Sequence, residues 1–273
     1  MGGFFDHPAV QGGVAPFVVA LAVAALLQRF SLAGLAIAGA FTTVAYFLNG
    51  LAVEPLTVTR KIILLGLAAA AVGFLADALF KPGRALAAVL AVIGGACAVW
   101  AFWSVLVQKP FGESALLGGG IALFVGLMVA ILGALVARPV RAGGAGLGLG
   151  LGTGIAAILG ASATYGLYGI ALGAGAGAFL LVQMVTGRTT AAGAVFALPA
   201  ALVASLLGAG AMLLAQLAWY ALPVLLLVPA AAFLPLPERQ PVWLQSVVVS
   251  IYTFATAAVT WVLAWQYGGK PSG

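Results

Sequence analysis

Charge is scarce in this chain. Asp, Glu, Lys and Arg make up 6% of its 273 residues, where a soluble globular domain carries about 25%. Eleven basic and five acidic side chains cannot cover the surface of a water-soluble fold of this length. Histidine and cysteine are scarcer still, at one each, His7 and Cys97. That excludes bis-histidine haem ligation, a Cys/His zinc or copper site and a disulfide framework, and no cofactor is expected. A serine–histidine dyad would have to use His7, which precedes the first apolar segment and reads as a helix-end or interfacial residue. The N-terminus lacks the basic region of a signal peptide, and Asp6 breaks the myristoylation pattern. No loop is long enough to fold as a soluble domain.

What remains is apolar. Hydrophobic residues make up 64% of the chain, in runs of about 18 to 23 residues that match a hydrocarbon core of roughly 30 Å. Ten such segments lie near 9–28, 31–49, 61–80, 85–107, 115–137, 145–164, 167–186, 194–217, 219–236 and 244–266. They are apolar all round and about twice the length of a barrel strand, so they predict helices. The expected fold is an all-α polytopic transmembrane bundle, a single integral membrane domain over 1–273. The breaks at TYGLYG (Thr164 to Gly169) and near Trp219 carry no charge.

Basic residues orient the bundle. With the N-terminus outside, inner loops hold Arg29, Lys81, Arg84, Arg138, Arg141, Arg188 and Arg239; outer ones hold Arg60, Lys61, Lys109 and Lys270. The excess predicts both termini on the outer, periplasmic side. Tyr46, Trp100, Trp103, Tyr165, Tyr168, Trp219, Tyr220, Trp261, Trp265 and Tyr267 fall on the outer half, and Trp243 at the inner interface. The net charge of +6 sits in loops. It reads as orientation signal, with the lipid bilayer rather than nucleic acid as partner. Short loops and Ala/Gly richness suit a bacterial inner membrane.

The stretch GGAGLGLGLGTG (Gly143 to Gly154) resembles a phosphate cradle but lacks the spacing. The sixth position after each G-x-G is never Gly, and no Lys follows. Helix packing accounts for it better. Gly144, Gly148 and Gly152 line one face; Gly146, Gly150 and Gly154 line another about 200° away. Gly169, Gly173 and Gly177 repeat the four-residue ladder. Gly119, Gly126 and Gly133, like Gly66 and Gly73, repeat every seven residues.

Few side chains carry chemistry. Glu54, Arg60 and Lys61 surround the start of the third segment, where two cations face the positive end of a helix and call for a compensating anion. A Glu54–Arg60 or Glu54–Lys61 clamp would supply it, as would an anionic ligand or lipid. Asp77 reads as an interfacial pair with Lys81, or as a coupling carboxylate. Ser246, Ser250, Thr253, Thr256 and Thr260 form a hydroxyl stripe that either lines a polar path or bonds back to helix carbonyls. Weak matches between residues 1–137 and 138–273 suggest a 5+5 inverted repeat. These features give a permease or channel-like transporter for a small solute, with Glu54, Arg60, Lys61, Asp77, Ser246, Ser250 and Thr253 as binding residues. The alternative is a non-catalytic subunit packing against other membrane subunits or its own copies. An enzyme acting on lipid or isoprenoid substrates is the weakest reading.

Overall fold

The computed structural model describes residues 7–50, 54–81, 83–237 and 239–267. Lys270 lies outside them. The described residues form ten α-helices and no strand: α1 Ala15–Leu27, α2 Ala36–Asn49, α3 Val58–Leu79, α4 Arg84–Leu106, α5 Phe111–Ala134, α6 Pro139–Leu159, α7 Ala163–Thr186, α8 Ala194–Leu214, α9 Ala221–Ala231 and α10 Val242–Tyr267. Eight stretches are long and apolar enough to cross a bilayer. The chain is an integral membrane protein by that measure. α2, with the short turn before it, and α9 are shorter.

Local chemistry sets the helix ends. Thr57 caps α3 by accepting the Arg60 amide, 3.4 Å. Pro139 begins α6 at the position where its missing N–H costs nothing. α6 therefore starts six residues before the expected 145 and takes in Arg141. α7 starts at Ala163, so TYGLYG is helix and the break is Gly160–Ser162. Within that helix Gly166 packs on Ile158 and Gly154 of α6, and Gly169 on Gly154.

α9 spans 11 residues, about 16 Å at 1.5 Å per residue, well short of the hydrocarbon core. Pro229 removes an amide near its end, and the helix stops after Ala231. Arg141, only 7% exposed, donates to the carbonyls of Ala232 and Leu234, at 2.6 and 2.8 Å. A cation at the carbonyl end of a helix is favourable, and it partners backbone that lipid cannot.

The interior is formed by α6, α7 and α8. Within their apolar spans, 83% of α8 and 72% of α6 are buried, against 28% for α1 and α10. α6 packs along α7 and α10, α3 along α8, α2 along α7, and α4 along α5. The two glycine faces of α6 meet different neighbours. A Cβ at Gly144, Gly148 or Gly152 would meet Val249, Thr253 or Ala257 of α10; one at Gly150 or Gly154 would meet α7 backbone, at 2.7 Å from Gly173 Cα and Ile170 N. Gly146 faces Phe196 of α8 and Ala176 of α7. Gly173 abuts Leu151 and Gly169 abuts Gly154, whereas Gly177 has only an ordinary contact with Leu147, 3.5 Å.

Candidate functional site

The residues picked out from the sequence do not converge. Arg60 and Asp77 sit near opposite ends of α3, about 25 Å apart along the helix. At the first end, the Arg60 guanidinium donates to the Pro55 carbonyl, 3.0 Å, rather than to Glu54. Lys61 reaches the Trp100 carbonyl, 3.2 Å, and lies over the Trp100 ring, 5.0 Å from its centroid. Backbone oxygen and an aromatic face thus take the place of the expected clamp. Among the described residues the ion pair is Lys109–Glu113, one turn apart at the start of α5.

Asp77 does something else. Its Oδ1 accepts the Ala194 amide, 2.7 Å, and its Oδ2 the Val195 amide, 2.9 Å. A carboxylate from α3 therefore caps the first turn of α8, whose own preceding residue, Gly193, has no side chain to do so. Negative charge there complements the helix dipole. Gly73, one turn earlier on the same face of α3, brings the backbones together: its Cβ would lie 2.6 Å from the Ala194 carbonyl. Gly193 itself adopts φ +73, and a Cβ there would strike the Asp77 carboxylate. A small cavity of about 30 Å³, room for one or two waters, lies beside this cap between α3, α4, α5 and α8.

The α10 stripe binds mostly to itself and to α6. Ser246 donates to Val242 O, 2.9 Å, Ser250 to Ser246 O, 2.7 Å, and Thr256 to Tyr252 O, 3.0 Å. Thr253 reaches across to Gly144 O at 3.1 Å, and Trp261 Nε1 to Gly152 O at 3.2 Å. At the far end of the bundle Asn49 donates to the Tyr168 hydroxyl, and Thr59 to that of Tyr165, 3.5 Å. Tyr165 and Tyr168 are buried between helices rather than set at a lipid interface.

Among the described residues four buried side-chain polar atoms have no partner: Thr153 Oγ1 on α6, Gln183 Oε1 on α7, Thr190 Oγ1 in the loop before α8 and Thr260 Oγ1 on α10. Of these, the sequence reading placed Thr260 in the hydroxyl stripe of the last segment. It placed Arg141 in a loop, although Pro139 marks a helix start that puts Arg141 inside.

The outer face of α5 differs from every other long helix. Gly112, Leu116, Gly119, Gly120, Leu123 and Leu127 fall within an arc of about 100°. A Cβ at Gly112, Gly119 or Gly120 would meet nothing within 4 Å, and Leu116 and Leu123 are 79% and 63% exposed. Farther along, Gly126 and Gly133 are used against Ala91 and Ala87 of α4. An apolar groove of about 310 Å³ runs beside the open face, between α5 and α9, and is lined by Leu117, Gly120, Phe124, Trp219 and Leu226 among others.

The chain matches no known protein family. Nor does any curated protein or solved structure match it. What it does has to be read from its own geometry.

Proposed function

We propose that this protein is a non-catalytic membrane subunit that acts through lateral contact with a transmembrane helix of a partner. The observation that carries this reading is the open Gly/Leu face of α5. Most glycines of the other long helices sit against a neighbouring helix at close range; at Gly112, Gly119 and Gly120 of α5 the same device faces outward. Small residues let backbones approach, which is how helices associate where lipid removes the hydrophobic drive. The interior supports the reading too, since Asp77 and most of the α10 hydroxyls are spent on helix contacts and caps. The basic ends of the helices face the cytoplasm of a bacterial inner membrane, and both termini lie outside.

The experiment is purification of the full chain from native membranes in mild detergent. A stable partner is expected in the wild type and its loss in Gly119→Leu/Gly120→Leu. A wild-type chain that runs alone, or a double variant that keeps its partner, overturns the proposal.

The permease reading has one observation in its favour: the unpartnered atoms of Thr153, Gln183 and Thr260 inside the bundle. Polar groups left bare in an apolar interior cost free energy and call for an occupant. Under that reading residues 1–137 and 138–273 are inverted copies. α2 beside α7 and α3 beside α8 are pairs that such an axis would relate, but α6 packs along α10 while α1 does not pack along α5. Solute flux through proteoliposomes holding the pure chain would favour it.

A further inference from the structure

The turn between α3 and α4 carries two cations that form no ion pair among the described residues. Lys81 and Arg84 are exposed, and the ion pair among the described residues lies elsewhere, at Lys109–Glu113. Asp77, one turn away, has both oxygens committed to the amides of α8. Arg84 also begins α4, where the helix's own positive end opposes it.

Directly below these cations α3 and α4 part. Between them runs an open groove of about 450 Å³, its walls almost wholly apolar, formed by Val72, Leu75, Phe80, Leu86, Val89 and Leu90 with neighbouring alanines. From Val72 to Phe80 it follows α3 for about 12 Å. That is close to the depth of one leaflet, half of a core of about 30 Å. The groove shares Leu86 and Leu90 with the small cavity beside the Asp77 cap.

We infer that this groove is a binding site for an anionic phospholipid of the leaflet on the basic face. The acyl chain lies along Val72, Leu75 and Val89, and the phosphate sits between Lys81 and Arg84. An apolar channel one leaflet deep fits a chain, and the paired cations at its mouth select a negative headgroup over a zwitterionic one. The occupant would fill the gap between α3 and α4 and brace the helix whose carboxylate caps α8.

The full chain in mild detergent is mixed with phosphatidylglycerol or phosphatidylcholine of identical acyl chains, and bound lipid is counted by native mass spectrometry. The wild type is expected to retain phosphatidylglycerol preferentially. Lys81→Gln/Arg84→Gln should lose that preference by about fivefold for each cation removed. Val89→Trp, which fills the groove at an exposed position, should lose bound lipid with the cations intact. Arg138→Gln/Arg188→Gln removes equal charge from the same face and should keep the preference. The inference is overturned if the two lipids bind alike, if the Lys81/Arg84 variant keeps its selectivity, or if the Arg138/Arg188 variant loses as much. Displacement of phosphatidylglycerol by inorganic phosphate alone, with Val89→Trp unaffected, would overturn it in favour of a free-phosphate site.

Discussion

At the residue scale, Asp77 shows how a half-buried acidic group in a membrane protein can cap a helix. Two amides at 2.7 and 2.9 Å satisfy it, and the N-terminus of α8 supplies positive potential. Asp77→Ala should cost about 2 kcal/mol, the loss of a charged cap, in unfolding by a denaturing detergent. Gly193→Ala should cost as much or more, because it strains a backbone at φ +73 and drives a methyl into the same carboxylate. If Asp77→Ala were as stable as the wild type, the cap would be incidental. Arg141 is the counterpart at the end of α9. Sequence spacing could not show either partnership, since the amides that Asp77 serves lie more than a hundred residues downstream.

At the element scale, glycine position matters more than glycine count. Gly150 faces Gly173 backbone at a separation no side chain could enter, whereas Gly119 and Gly120 face open space. Gly150→Ala should therefore destabilise by about 2 kcal/mol or more through overpacking. Gly119→Ala should be neutral or stabilising by up to about 1 kcal/mol in the isolated chain, since alanine favours helix. Equal losses at both positions, read from the same detergent unfolding curves, would mean that the α5 face is packed after all. The two-faced ladder on α6 is visible in sequence as an even-numbered run. That one face meets α10 and the other α7 is not, because periodicity names faces and not neighbours. α9 is the element read least well. Its apolar run continues past Ala231, yet Pro229 and the Arg141 side chain end the helix.

At the scale of the whole molecule, contacts between helix ends define two faces. Gln28 with Thr186, Asp77 with α8 and Arg141 with Ala232 join ends on one face; Asn49 with Tyr168, Lys61 with Trp100 and Gln216 with Gly160 join them on the other. The first face gathers Arg29, Lys81, Arg84, Arg138, Arg141, Arg188 and Arg239, the second Arg60, Lys61 and Lys109. This asymmetry predicts the orientation in the membrane. In a Cys97→Ala background, Gln108→Cys should react with a membrane-impermeant maleimide on intact cells, and Gln240→Cys should react only after lysis. The opposite pattern would invert the topology.

Composition alone determined that this chain lives in lipid as helices. So few charges cannot coat a soluble surface, and backbone groups in hydrocarbon must pair within their own segment. Charge and proline marked most of the breaks for the same local reason. Only the tertiary structure decided which helix each glycine face meets, that Asp77 caps α8, and that glycines of α5 face outward. Those outcomes depend on distances between residues far apart in the chain, and local patterning carries no record of them.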